Sequence, residues 1–301
     1  MSYILGIDTS NYTTSMALCT KDGEIISNQK MLLPVKEGER GLRQSDAVFA
    51  HTVNLPEVAK MLGKADICTI GYSAYPRDNQ GSYMPCFLCG KAYAESLAAL
   101  LDIPCYAFSH QRGHIRAALY SAHAEHLLGK EYLAFHLSGG TTEVLHVKNG
   151  NIELIGGTND LTAGQAIDRV GVMLGLKFPC GAQLERLAEN GTFKSAKISV
   201  NGYSCNMSGL ENMAAKLYKN GEPKENVAAF TIDFVLRTLD KMTENLISDF
   251  GDLPLVYSGG VMSNKRIKDH FEKKYGAYFA EPAFSSDNAA GTALLAYDEL
   301  N

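Results

Sequence analysis

Two histidines four residues apart, His110 and His114, and three short turns rich in Ser, Thr and Gly carry the chemistry legible in this chain. On a helix, positions i and i+4 share a face, so both imidazoles can reach one metal ion. Imidazole suits zinc, iron and similar ions. A third, distant ligand is needed, and Asp287, in the polar turn Ser285-Ser286-Asp287-Asn288, is a candidate. His123 and His126 lie further along the same helical run and read as solvent-facing. A His pair at this spacing is as often a surface or capping pair, so the spacing alone leaves both readings open.

The turns point to phosphate. Asp8-Thr9-Ser10 closes one strand-like run and Ser138-Gly139-Gly140-Thr141-Thr142 closes another. Such turns aim backbone N–H groups and hydroxyls at one point, and these nests bind anions. Glycine lets the backbone approach the anion closely. Asp8, at a strand end, is placed to orient a metal-bound water or the metal itself. One turn alone is better read as a tight hairpin. Two matching turns, with a third at Ser258–Val261 that includes Gly259 and Gly260, favour a nucleotide site. Asp168, Gly181, Glu185 and Asn264 singly read as caps or surface residues and together can ring a ribose and base. Arg112, Arg116, Arg169, Arg186, Lys194 and Lys197 are too dilute to specify an RNA strip by themselves.

The elements that must position these residues repeat. Strand Tyr3–Asp8, a Ser/Thr turn, strand Thr13–Cys19, a charged Gly turn and strand Glu24–Gln29 form the first unit. Strand Tyr132–Leu137, the Ser138 turn, strand Glu143–Val147, a Lys-Asn-Gly-Asn turn and strand Ile152–Gly156 form the second. Repetition of a supersecondary unit implies two lobes of like build. Helical periods cover 46–62, 90–101, 110–128, 162–174, 183–190, 225–250, 265–274 and 288–299. The expected architecture is α/β, with lobes at 1–127 and 128–301 and a polar, poorly patterned excursion at 191–224.

Composition narrows the class. The chain has 301 residues, 46% hydrophobic and 20% charged, with net charge −5. That balance argues against a broad basic face for nucleic acid. No apolar run approaches the roughly 18 residues of a membrane span. The seven cysteines are odd in number, and no signal peptide is evident, so free thiols in a reducing cytoplasm are expected. Cys86 and Cys89 read as packing residues.

In order along the chain, several motifs resemble the TsaD/Gcp family. They are Gly6-Ile7-Asp8-Thr9-Ser10, His110-x-x-Gly113-His114, Ser138 through Glu143, Asp168 through Gly181, Ser208-Gly209-Leu210, Ser258-Gly259-Gly260-Val261-x-x-Asn264 and Ser286-Asp287-Asn288-Ala289. The resemblance spans about residues 3–297. It implies the actin-like ATPase (sugar kinase/heat-shock) fold, with the ligand in a cleft between two similar lobes. It implies transfer of threonylcarbamoyl from its adenylate to a tRNA adenine, with partner proteins and no membrane. The metal ligands it implies are His110, His114 and Asp287, holding iron or zinc, with magnesium as a further candidate. Leu137, Ser138, Gly139, Gly140 and Thr141 correspond to the loop at the phosphates or the threonylcarbamoyl group. Asp168, Gly181, Glu185, Gly259, Gly260 and Asn264 correspond to contacts with ATP or an adenylate. Asp8, Ser10 and Thr141 are the expected catalytic residues.

The chain departs from the family inside the site. Asn11-Tyr12-Thr13 replaces an acidic pair, Arg112 a glutamate, and Thr141 a His or Asn. Residues 75–82 replace a Gly-Pro-Gly-Leu segment, and Pro179-Cys180-Gly181-Ala182 replaces Pro-Gly-Gly-Pro. The pattern is that of a divergent paralog. The alternative is a nucleotide- and metal-binding regulator or partner subunit without turnover. A metallopeptidase ranks last, because Gln111 stands where a zincin-type general base would be.

Overall fold

The computed structural model describes the chain except Met1, Asn11, 35–41, Asn79, Gln80, Phe193, Lys194, Ala196 and 285–287. The chain divides into two compact units, Met1–Ser121 with Ala283–Asn301, and Ala122–Pro282.

The first unit holds β1 (Ser2–Asp8), β2 (Thr13–Cys19), β3 (Ile25–Leu32), α1 (Gln44–Leu62), β4 (Asp66–Tyr75), α2 (Phe87–Leu101), β5 (Cys105–Ser109) and α3 (His110–Ser121). Its sheet runs β3-β2-β1-β4-β5. The β1–β2 and β2–β3 pairs are antiparallel, and the β1–β4 and β4–β5 pairs are parallel. A central strand covered on both faces must be apolar on both, and β1 is: Leu5 and Ile7 pack towards α1 and α2, and Ile4 packs the other way.

The second unit holds β6 (Tyr132–Leu137), β7 (Thr142–Lys148), β8 (Asn151–Thr158), α4 (Ala163–Met173), α5 (Gly181–Ala188), β9 (Val200–Asn201), β10 (Ser204–Cys205), α6 (Ser208–Lys219), α7 (Lys224–Phe250), β11 (Leu255–Ser258), α8 (Lys265–Tyr275) and β12 (Tyr278–Phe279). Its sheet runs β12-β11-β6-β7-β8-β10-β9. Read from the other edge, β8-β7-β6-β11-β12 reproduces the order of the first sheet, with β10 and β9 added. The expected repeat is therefore present at the level of topology. Phe135, Leu137 and Val144 pack against Phe234, Leu239 and Met242 of α7 in one core.

Three boundaries differ from expectation. The last helix, α9 (Ala289–Asp298), belongs to the first unit, so the two units are not the contiguous lobes 1–127 and 128–301. The reason is glycine on the sheet. A Cβ on Gly6 would lie 1.9 Å from the Ala289 carbonyl oxygen, and one on Gly71 would lie 2.3 Å from that of Thr292. The α9 backbone rests directly on β1 and β4, and Arg116 of α3 pairs with Asp298 at 2.7 Å. Second, α3 stops at Ser121 rather than running to Leu128. His123 takes a left-handed φ of +52°, which L residues resist inside a helix. His123 and His126 are exposed, as expected.

Third, the 191–224 excursion contains β9, β10 and α6, apart from the undescribed Phe193, Lys194 and Ala196. Its helix start is capped by a side chain 48 residues away rather than by one of its own N-cap residue. Asp160 accepts from the Met207 and Ser208 N–H groups at 2.7 and 3.2 Å and from the Ser208 hydroxyl at 2.6 Å. Partial burial pushes the Asp160 carboxyl up, but the Ser208 hydroxyl and three backbone N–H groups outweigh it and hold the carboxyl well below its usual value.

Two outcomes follow. Gly6→Ala forces a methyl into the α9 backbone, and urea denaturation should show a loss of about 3 kcal/mol. Asp160→Asn should cost about 1 kcal/mol, the scale of a helix cap. Because the native carboxyl is depressed, its contribution is complete above about pH 4, the unfolded value, and fades as pH falls through the native value. The gap between wild type and Asp160→Asn should therefore narrow in acid in a pH series of denaturation curves.

Candidate functional site

In the first unit, the end of β1, the first turn of α3 and the residue before α9 meet. His110 and His114 lie on one face of α3, with their Nε2 atoms 2.8 Å apart. The rings are edge-to-face at 4.2 Å, and Phe87 lies against His110 on its other side. Two ring nitrogens converging on one point form the donor set of a metal site. Among the described residues, no group of three His, Cys, Asp or Glu side chains completes it. The third expected ligand, Asp287, lies outside the described residues. The residues present fit a divalent metal at the shared point of the two Nε2 atoms.

Asp8 stands behind this pair. Its side chain is 1% exposed, and its Oδ1 lies 3.4 Å from His110 Nδ1. Full burial pushes its carboxyl up. The pull of His110 and the hydroxyl dipoles of Ser10 and Ser73 outweigh that and hold it below its usual value. The Ser10 hydroxyl donates to Asp8 Oδ2 at 2.7 Å. Thr9 donates to the Cys86 carbonyl at 2.9 Å and accepts from the Gly90 N–H at 3.0 Å. Both hydroxyls of this turn are thus already engaged within the first unit, and Asn11 lies outside the described residues. Asp8 reaches His110 and Ser10 reaches Asp8, so the hydroxyls of this turn brace the first unit.

Sequence reasoning missed Asn288 as a partner of His110. Fully buried, it donates from Nδ2 to the His110 carbonyl, and the same nitrogen lies 3.2 Å from His110 Nδ1. The glycines of the two helices make room for it. A Cβ on Gly113 would lie 2.3 Å from Asn288 Nδ2, and one on Gly291 would lie 2.0 Å from the Gly113 carbonyl oxygen. The signal was present in the paired small residues Gly113 and Gly291, whose role is close helix packing. Between the histidines, Arg112 pairs through Nε with Asp78, and the Gln111 N–H donates to the Pro76 carbonyl at 3.1 Å. Arg112 thus has a carboxylate partner in the segment between β4 and α2.

In the second unit, three backbone turns stack. A Cβ on Gly164 would lie 2.5 Å from the Ser138 carbonyl oxygen, and one on Gly259, at φ +95°, would lie 2.1 Å from that of Leu137. Thr162 donates to the Gly139 carbonyl at 2.9 Å, and Thr142 accepts from the Ala163 N–H at 2.8 Å. Leu137, Ser138, Gly139, Gly140 and Thr141 are thereby joined to Gly259 and Gly260. Gly139, Gly140, Gly181 and Gly260 are exposed, with open space where a side chain would stand. The nest is partly closed on itself: Ser138 Oγ accepts from the Gly140 and Thr141 N–H groups at 3.3 and 3.1 Å.

The polar set of this unit is occupied by helix starts. Asp168 Oδ1 accepts from the Cys180 N–H at 2.7 Å, ahead of α5. Burial pushes the Asp168 carboxyl up, with that N–H opposing, and burial together with Asp168 raises the Cys180 thiol to about 11. Glu185 Oε1 accepts from the Lys265 N–H at 2.7 Å and Asn264 Oδ1 from the Ile267 N–H at 3.1 Å, so both cap α8.

The profile of the TsaD family, described as tRNA N6-adenosine threonylcarbamoyltransferase, matches residues 40–294. The chain belongs to this family. A TsaD protein of that name from Thermus thermophilus is 31% identical, over 98% of this chain and 92% of its own length. One from Methanopyrus kandleri is 28% identical, over 95% and 84%. Among solved structures, full-length HypF in its phosphate- and nucleotide-bound form matches with a TM-score of 0.63 at 15% identity, covering all of this chain and 47% of HypF. The activator of the 2-hydroxyisocaproyl-CoA dehydratase from Clostridium difficile, with bound ADPNP, matches with a TM-score of 0.59 at 14% identity, covering 99% and 95%. These likenesses show the actin-like ATPase fold. This TsaD-family chain is a transferase, of the family associated with tRNA threonylcarbamoyladenosine synthesis. No helix among its described residues is long and apolar enough to cross a membrane.

Asn264→Ala removes one α8 cap while Glu185 keeps the other. Denaturant titration should show a loss of about 1 kcal/mol.

Proposed function

We propose that this TsaD-family protein transfers threonylcarbamoyl from threonylcarbamoyl-adenylate to the N6 amine of a tRNA adenine, with a divalent metal held by His110, His114 and Asp287. Iron or zinc suits the two imidazoles, and magnesium is a weaker match. The observation that carries the reading is the 2.8 Å convergence of the two Nε2 atoms in a chain of this family. When bound, the metal supplies Lewis-acid polarisation of the carbamoyl or phosphate oxygen.

The chain's own residues then do the rest. His110 and His114 present their Nε2 atoms to one point. The exposed backbone of Gly139, Gly140 and Gly260 admits the phosphate of ATP or an adenylate. Remaining N–H groups of these turns are donors for that phosphate. The N6–carbon bond forms, the carbon–oxygen bond to AMP breaks with its electron pair leaving on the phosphate, and the proton lost from N6 passes to water. A separate enzyme supplies the adenylate, so partner proteins are implied, and a tRNA acceptor implies a cytoplasmic setting.

A second reading, a nucleotide- and metal-binding regulator without turnover, is favoured by one observation. Ser138 Oγ already takes two N–H groups of the turn that would hold the adenylate. The two readings separate in one assay. Purified protein is supplied with unmodified tRNA and threonylcarbamoyl-adenylate from a standard family system, and the nucleosides are read by mass spectrometry. The transferase reading expects threonylcarbamoyladenosine from wild type, and background product with loss of bound metal from His110→Ala. Adenylate binding without product would favour the regulator.

A further inference from the structure

The proposed transfer uses His110 as a ligand and leaves Asp8 unassigned. Nδ1 of His110 faces two groups, Asp8 Oδ1 at 3.4 Å and Asn288 Nδ2 at 3.2 Å. They select opposite tautomers. Asn288 Nδ2 only donates, so bonding to it requires a bare Nδ1 and places the proton on Nε2. An ionised Asp8 only accepts, so bonding to it requires Nδ1–H and leaves Nε2 bare.

Charge decides between them. Asn288 Nδ2 already donates to the His110 carbonyl, so the amide keeps a bond in either tautomer. Asp8 Oδ2 is served by Ser10, whereas buried Oδ1, which His110 and the Ser73 hydroxyl of β4 both face, makes no hydrogen bond of ordinary geometry among the described residues. A buried anionic oxygen without a donor is costlier than an amide N–H losing a second contact. Nδ1–H is the donor that α3 offers it, beside the Ser73 hydroxyl.

We infer that Asp8 is a positioning residue: it holds His110 in the Nδ1–H tautomer and so aims the Nε2 lone pair at the point shared with His114. In the metal-free protein the 2.8 Å contact is then a hydrogen bond from His114 Nε2–H to His110 Nε2. A metal bound at that point would take the place of that proton, which would pass to water. Ser10 fixes the carboxylate, β1 fixes Asp8, and the Phe87 edge fixes the ring. The first Ser/Thr turn thereby serves the metal rather than the phosphate. The inference rests on the proposed metal site for its purpose but not for its test.

The test reads tautomer and metal affinity separately. Nitrogen-15 spectra of histidines in the full-length, metal-free protein, assigned with His110→Gln, should show His110 protonated at Nδ1. Asp8→Ala should let Asn288 donate to Nδ1 and move the proton to Nε2. Asp8→Asn keeps an acceptor oxygen and should hold the wild-type tautomer in part. Titration with zinc(II) alone against a chelator should show Kd raised about ten- to a hundredfold in Asp8→Ala and less in Asp8→Asn, with circular dichroism confirming the fold. If Asp8→Ala does not fold, the wild-type tautomer and Asp8→Asn carry the test. Wild-type protonation at Nε2, or a folded Asp8→Ala with wild-type tautomer and zinc Kd, overturns the inference. Should wild type bind neither zinc(II) nor iron(II), the metal reading falls, while the tautomer still decides the role of Asp8.

Discussion

Backbone rests on backbone where α9 crosses β1 and β4, and the first unit is organised around that contact. Gly6 and Gly71 leave no side chain between the sheet and the helix. Gly113 and Gly291 do the same between α3 and α9. Because α9 sits this close, Asn288 reaches the His110 backbone, and α3 is pressed to the end of β1 where Asp8 lies. The histidine pair is therefore a product of helix packing as much as of its own spacing. Larger residues at these glycines would separate the groups before altering any of them.

Nearly every polar residue of the site has a structural duty in view. Thr9 ties β1 to α2, Ser10 orients Asp8, and Ser138 closes its own turn. Asp168, Glu185 and Asn264 satisfy helix-start N–H groups. Buried polar groups cost free energy unless they are bonded, so a chain that places them near a ligand must also bond them to itself. Gly139 and Gly140 bond to Thr162 and Ser138 as well, yet with Gly260 they leave open space where side chains would stand.

Between the two histidines, Arg112 pairs with Asp78 of the segment after β4, which sets a carboxylate beside the guanidinium on this face of α3.

The sequence by itself determined the α/β class, the repeated strand-turn-strand units and the shared face of His110 and His114. These follow from local periodicity and from the geometry of a helix turn, which need no distant partner. Only the tertiary structure decided that 283–301 returns to the first unit, because the cause is the absence of a Cβ at Gly6 and Gly71, far from α9 in sequence. It decided that α6, within 191–224, is capped by Asp160, which lies 48 residues upstream. It also decided that Asp8 and Ser10 brace a histidine, since a short polar turn reads the same whether its hydroxyls face a phosphate or the protein's own carboxylate. Long-range bonding fixes which it is, and a local pattern holds no record of that.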